Sequence, residues 1–317
     1  MGVLFAWPSE LKTDAHGLAL TFIVPATACN LSCGFCAIKQ RHEISESTLS
    51  VADYGYFLSE IARKEPLAIA AVQGYEPLLA ESWRYTSQLL STARRCGVPR
   101  SIVTNGILLT ERASELAELE PTGVTISIDS STALAHDKIR GVGGAFEKTL
   151  AGLRALSNIP GFASRITVNS VLFPHRRKLL EGMPALLEQC GITHWVVGPL
   201  LRIGRNTMGG PVGDSGQIID DLLHLRGVAE NHGVSVVLDD ELGMLALDFQ
   251  ELVVRRFERP EGLIRLAPDG SCSVGRDILR AVSPKTPRWN PSKMEPLEFV
   301  RSILSPAMRA DVFREAA

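Results

Sequence analysis

Six short apolar runs, each followed by a segment with helical periodicity, limit the possible folds of this chain more than any other feature. They are LALTFIV (18–24), LAIAAV (67–72), SIVT (101–104), GVTISI (123–128), ITVNSVL (166–172) and WVV (195–197). Several are apolar on both faces, as strands are in a sheet covered on both sides. Between them lie 3.6-residue stripes. Phe146, Leu150, Leu153 and Leu156 form one, and Leu179, Met183, Leu186, Leu187 and Cys190 another. Leu89, Ala93 and Cys96 form a third, with Gly97 placed to end its helix. Repeated strand–helix units with right-handed crossovers predict a parallel sheet. The expected fold is α/β, a partial (β/α)6 TIM-like barrel, short of the eight units of a closed one.

After Leu201 the pattern changes. RIGRNTMGGPVGDSG (202–216) is rich in Gly and turn residues, a helix is expected around Gln217–His232, and a strand at Val234–Leu238. Residues 263–274 read as a hairpin around Pro268-Asp269-Gly270. The expected organisation is a barrel over 1–204 and a small α/β cap over 205–317. Apolar residues make up 45% of the 317, enough for a full core. The 33 basic and 35 acidic residues leave a net charge of −2, which gives no support for a nucleic-acid or membrane-surface partner. No run is long and apolar enough to span a membrane, and the start lacks a signal-peptide pattern. The expectation is a cytoplasmic protein.

Three of the six cysteines crowd into ACNLSCGFCAIKQ as Cys29-x3-Cys33-x2-Cys36, directly after the first run. Six in the whole chain are too sparse for a disulfide scaffold, so the trio reads as a metal or redox site in a reducing compartment. Soft thiolates favour iron–sulfur clusters or zinc. Three protein ligands leave one coordination position open, whereas a structural site is usually closed by four. Two blander alternatives stand: a zinc knuckle closed by His42, in a non-catalytic interaction protein, and three cysteines that merely share a loop.

This spacing, with Phe35 as the aromatic before the last cysteine, resembles the signature of the radical S-adenosylmethionine (SAM) superfamily. The resemblance implies a 4Fe–4S cluster on Cys29, Cys33 and Cys36. It further implies SAM bound at the open iron, reductive cleavage of SAM, and hydrogen abstraction from an organic substrate. The cofactor then carries the hard chemistry and the protein positions it. In barrel folds, functional side chains gather at strand C-terminal ends, and the further matches fall there. QGYEPLL resembles the family's GGEP segment, so Gly74, Tyr75 and Glu76 are candidates around the SAM amino group; Tyr75 stands where the family has a second glycine. Thr104-Asn105-Gly106 resembles the family's TNG, with Thr104 as the candidate. ISIDSS resembles an S-x-D pattern, placing Ser127 by the SAM ribose or carboxylate and Asp129 and Ser130 nearer the substrate. In HDKIRGVGG, Arg140 is the candidate partner of the SAM carboxylate. Asn169 is a candidate for the ribose and Leu200 for the adenine. The resemblance spans about residues 18–201.

Cys96 and Cys190, on apolar stripes, are expected to be buried. Cys272 lies in LAPDGSCSV, which resembles the start of the SPASM or twitch auxiliary-cluster domains. It is the only cysteine past residue 190, so a degenerate relative without an auxiliary cluster is expected. Cys272 is a candidate hydrogen-atom donor, with a bland strand thiol as the alternative. The basic runs at His175–Lys178 and Arg255–Arg256, and the acidic Asp239, Asp240 and Glu241, read as solvated faces. Some peptide-modifying relatives carry an N-terminal recognition domain. The first run starts at residue 18, so none is expected here. That favours a small metabolite, such as a sugar or amino-acid derivative, over a peptide. An electron donor such as flavodoxin or ferredoxin is the implied protein partner.

Overall fold

The computed structural model describes residues 17–25, 29–36, 48–200, 215–239, 254–255, 262–275 and 285–304. The strands are β1 (Leu18–Val24), β2 (Leu67–Gly74), β3 (Arg100–Thr104), β4 (Gly123–Ser127), β5 (Ile166–Leu172), β6 (His194–Pro199), β7 (Ser235–Asp239), β8 (Val254–Arg255), β9 (Leu263–Leu266) and β10 (Cys272–Val274). The helices are α1 (Val51–Lys64), α2 (Ala80–Arg95), α3 (Leu109–Glu118), α4 (Ala133–Arg140), α5 (Ala145–Ser157), α6 (Met183–Gln189), α7 (Ser215–Glu230) and α8 (Pro296–Ile303).

All ten strands form one sheet in the order β10-β9-β1-β2-β3-β4-β5-β6-β7-β8. The six apolar runs are β1 to β6, paired in parallel one after another. The sheet is an open one whose edges are β8 and β10, which is a partial barrel. It is wider than six strands. β7 and β8 continue it in parallel past β6, and β9 pairs in parallel with β1 at the other edge. The expected hairpin is present as antiparallel β9–β10. Elements from beyond residue 204 therefore extend the barrel wall at both ends.

The two faces of the sheet differ. Leu18, Leu20, Phe22 and Val24 of β1 point one way, with Val72, Ile102, Ile126, Val168, Trp195 and Ile264, into a core packed against the helices. Helix α1 shows how that core is assembled. Ser50 caps it, its hydroxyl accepting from the Asp53 N–H at 3.2 Å while the Asp53 carboxylate accepts from the Ser50 N–H at 2.7 Å. Tyr54, Phe57, Leu58 and Ile61 are its buried stripe, and the Tyr54 hydroxyl donates to the Ile23 carbonyl at 2.7 Å. The alternate strand positions, Thr21, Gln73, Ser101, Thr125, Asn169 and Arg265, are buried on the opposite face. That polar face lines the lumen of the partial barrel.

Cys190 is buried as expected, but Cys96 is exposed. Helix α2 ends at Arg95, and Cys96 is its C-cap, turned off the stripe, with Gly97 following at φ +67°. His42, Asp240, Glu241 and Arg256 lie outside the described residues, as do the side chains of Asp239 and Arg255. Among the described residues, no helix is long and apolar enough to cross a membrane.

Burial alone orders the reactivity of the three remote thiols. Peptide-mapped alkylation of the native protein is expected to modify Cys96 quickly and Cys190 and Cys272 only on unfolding. Native labelling of Cys272 as fast as that of Cys96 would contradict the placement of β10.

Candidate metal and cofactor site

The loop leaving β1 carries the three cysteines to the C-terminal ends of the parallel strands. The Cys29 thiol donates to the Tyr75 carbonyl at 3.2 Å, beyond the end of β2. The Asn105 amide, beyond β3, lies 4.0 Å from Cys29 Sγ and donates to Asn30 Oδ1 at 2.7 Å. Arg140 Nη1 lies 3.9 Å from Cys33 Sγ, and the Cys36 N–H donates to the Cys33 carbonyl at 3.3 Å. Burial pushes the Cys29 thiol up to about 11, with Glu76, Cys33 and Cys36 adding to the effect. Burial also raises Cys33, opposed by the charge of Arg140. Cys33 and Cys36 thus both act on Cys29, and Cys36 on Cys33, which places all three in one locale.

Helix α4 holds this loop in place. The Ser32 N–H donates to the Arg140 carbonyl at 2.9 Å. Next to it, Gly141 has φ +73°, and a Cβ there would stand 2.6 Å from the Ser32 carbonyl oxygen. Only glycine allows that approach. The Arg140 guanidinium pairs with Asp129 Oδ2 at 2.8 Å and lies 5.5 Å over the Phe35 ring. Burial works against its charge, but Asp129 and Cys33 outweigh burial and hold Arg140 above its usual range. Asp129 Oδ1 accepts from the Val171 N–H at 2.9 Å, and the Asp129 N–H donates to His136 Nδ1 at 3.2 Å. Burial, helped by the Arg140 charge, holds His136 down to about 4, so its ring is neutral at pH 7. Asp137 accepts from the N–H groups of Gly144 and Phe146, at 2.6 and 2.8 Å, and so fastens α4 to the start of α5.

Several candidates serve as braces. Glu76 is fully buried and accepts from the Thr104 hydroxyl at 2.6 Å, the Asn105 N–H at 2.8 Å and the Leu78 N–H at 3.0 Å. Burial raises its pKa, while those three donors pull it back. Glu76 and Thr104, expected to contact a cofactor, therefore bond to each other and hold the β2 and β3 ends together. Asp129 and Ser130, expected nearer the substrate, are turned inward: Asp129 to Arg140, and Ser130 to the Thr132 N–H at 3.2 Å. Gly74 has φ +149°, and a Cβ would meet the Val24 carbonyl oxygen at 3.1 Å, so the turn into Tyr75 needs glycine.

Other candidates converge on the loop. Phe35 packs edge-on to Phe173 at 5.4 Å, in a small apolar cluster with Ile139, Val171 and Leu200. Ser127 and Asn169 are register partners on β4 and β5. Asn169 Oδ1, Asn30 Nδ2 and Arg140 Nε are buried without a hydrogen-bond partner among the described residues. Buried polar atoms are rarely left so; Asn30 is in the thiol loop, Arg140 touches it, and Asn169 lies on the lumen face of β5, where a polar ligand would complete them. Asn30, Asn105 and His136 were not singled out from the sequence. All three sit inside motifs with a chemical signal, in ACNLSCGFC, TNG and HDKIRGVGG, but that signal falls on their neighbours.

Cys272 is elsewhere. It faces the helix-side core with Leu266 and Trp289, and burial pushes its thiol up to about 12. Its neighbour Ser273 is the one opposite Arg265 on the lumen face. Strand alternation thus turns Cys272 away from the lumen, and the structure does not bring the expected hydrogen donor to the site.

The donor set fits an iron–sulfur cluster. Among the described residues, no three His, Cys, Asp or Glu side chains close around a single metal ion. A cubane takes each thiolate on a separate iron and needs a wider spread.

Two outcomes follow from these contacts. Glu76→Ala removes the acceptor of three buried donors and is expected to lower unfolding free energy by about 3 kcal/mol in urea titrations; a loss under about 1 kcal/mol would contradict the brace. His136 takes a proton near pH 6.5 when unfolded but only near 4 when folded. Stability is therefore lost as pH falls from about 6.5 towards 4, by up to about 3 kcal/mol. His136→Gln should flatten that part of the pH–stability curve, and an unchanged slope would contradict the assignment.

Residues 23–178 match the radical SAM superfamily. An AdoMet-dependent heme synthase of Methanosarcina barkeri is 33% identical over 132 residues, 40% of this chain and 36% of the relative. A PqqA peptide cyclase of Rhodopseudomonas palustris is 28% identical over 177 residues, 55% of this chain and 44% of the relative. The chain thus spans less than half the length of either. The fold is similar to that of Streptococcus suis SuiB bound to S-adenosylmethionine, with a TM-score of 0.72 at 13% identity over 93% of this chain and 67% of SuiB. SuiB bound to its precursor peptide SuiA gives 0.71 over 93% of this chain and 66% of SuiB, again at 13% identity. The chain carries a radical SAM domain, and the cysteine loop, the Tyr75 carbonyl and the Arg140 guanidinium all lie within it.

Proposed function

We propose that this chain is a radical SAM enzyme that holds a 4Fe–4S cluster on Cys29, Cys33 and Cys36, binds SAM beside it, and modifies a peptide. The observation that carries the reading is the convergence of three thiols, the Tyr75 carbonyl and Arg140 at the mouth of a polar-lined barrel. Together, when bound, cluster and SAM supply reductive cleavage of SAM and hydrogen abstraction from the substrate.

The chain's own residues bind and orient. The Tyr75 carbonyl is an acceptor suited to the SAM ammonium. The Arg140 guanidinium, with its free Nε, suits the SAM carboxylate. Ser127 and the unpartnered Asn169 Oδ1 suit the ribose hydroxyls. Phe35 and Leu200 offer an apolar wall for the adenine. Gly74, Glu76 and Thr104 set the backbone that presents Tyr75. Strands β1 to β6 form the main barrel wall, β7 to β10 widen it, and together they shield the chamber from water. A one-electron donor such as flavodoxin or ferredoxin completes the set.

A peptide substrate draws support from the relative named as a peptide cyclase and from the fold shared with SuiB, solved with a precursor peptide. It replaces the small metabolite expected from the sequence. The relative named as a heme synthase keeps a small-molecule substrate as the second reading.

Anaerobically reconstituted protein should contain about four iron and four sulfide per chain and release 5′-deoxyadenosine from SAM with a strong reductant. Cys29→Ala, Cys33→Ala and Cys36→Ala should each abolish the release. Bound zinc without sulfide, and no 5′-deoxyadenosine, would sink the reading in favour of a zinc-binding interaction protein. Stimulation of 5′-deoxyadenosine release by a short peptide encoded beside the gene, with a mass change in that peptide, would select the peptide reading over the metabolite one.

A further inference from the structure

The lumen holds a cation that the chemistry described so far does not use. Arg265 is 2% exposed, on the lumen face of β9. Among the described residues, its side chain makes one hydrogen bond, from Nη2 to the Ser273 hydroxyl at 3.4 Å, and its Nε has no partner. Among the described residues, no carboxylate pairs with it. Asp269, whose charge reaches Arg265 without pairing with it, is engaged by the Ser271 N–H at 3.0 Å and Arg288 at 3.4 Å. Burial holds the guanidinium down to about 10, still charged at neutral pH. A buried charge without a counter-charge is unfavourable and calls for a compensating group.

The register shows what surrounds it. Arg265 is level with Thr21, Thr21 with Ala71, Ala71 with Ser101, and Ser101 with Gly123. One tier of the lumen thus presents a guanidinium and two hydroxyls, with Ala71 and Gly123 as the smallest residues between and beside them. Thr21 Oγ1 and Ser101 Oγ are both buried without a partner. In the tier above, Gln73 Oε1 and Thr125 Oγ1 are also unpartnered. A guanidinium fork with hydroxyl donors is the chemistry that recognises an oxyanion.

We propose that Arg265, with Thr21 and Ser101, binds an oxyanion on the substrate, either a carboxylate or a phosphate, at the floor of the lumen. The rest of the substrate then extends towards the strand C-terminal ends, where Asn169 and the cysteine loop stand. The proposal rests on the reading above only in taking the lumen as the substrate chamber.

The test is thermal unfolding of the cluster- and SAM-loaded protein, titrated with inorganic phosphate or glutarate against sodium chloride at matched ionic strength. At saturation, one or both anions should raise the wild-type Tm by about 2–4 °C. The anion that acts identifies the group. Arg265→Met should abolish the shift. If Arg265→Met has no cooperative transition, Arg265→Lys, which keeps the charge but loses the fork, should reduce the shift by more than half. No shift in the wild type with either anion, or an equal shift in either variant, overturns the proposal. 5′-Deoxyadenosine release from the same wild-type preparation reports separately on the cluster and SAM, so the two readings fail independently.

Discussion

The site depends on one buried guanidinium. Arg140 pairs with Asp129 at the end of the fourth strand, lies over Phe35 and approaches Cys33, while its own carbonyl holds Ser32. Strand, helix and cysteine loop therefore meet at a single residue. In a dry interior that charge needs its partner, and removing either member would leave the other uncompensated, at a penalty of several kcal/mol. Asp129 in turn is fixed by Val171 and His136, so the loop's position is set by the ends of β4 and β5 together with helix α4. Gly141 permits the close approach that lets these contacts form.

The second organising fact is the asymmetry of the sheet. One face packs large apolar side chains against the helices, with Trp195, Phe22 and Phe57 fully buried. The other face is buried but carries many polar side chains, and several of their atoms have no partner among the described residues. A core built only for stability satisfies such groups or excludes them. A chamber that closes around a polar ligand leaves them waiting. The strands contributed from beyond residue 204 belong to this logic: they widen the wall and bring Arg265 beside the first strand.

Much of this was legible in the sequence because it is local. Two-faced apolar runs located six strands, and the bounds of the first and fifth were read to the residue. Gly97 marked a helix end. The cysteine spacing pointed to one metal centre because eight residues hold all three ligands. What failed was non-local or sensitive to small rotations. Cys96 fell off its stripe because the helix stopped one residue earlier. How Glu76 and Thr104 are partnered was equally hidden, because motifs reveal residue types and not partners; in the fold they bond to each other. Cys272 followed a suggestive turn, but whether it faced the lumen depended on its register with Leu266.

By itself, the sequence determined the strand–helix alternation, the apolar content of the core and the trio of thiols on one short loop. These follow from residue spacing along the chain. The tertiary structure alone decided which carboxylate meets Arg140, that Glu76 is a brace, and that Arg265 stands level with Thr21 and Ser101 without an acidic partner. Such facts arise from parallel pairing between segments far apart in sequence, where a one-residue change of register would turn each side chain to the other face of the sheet.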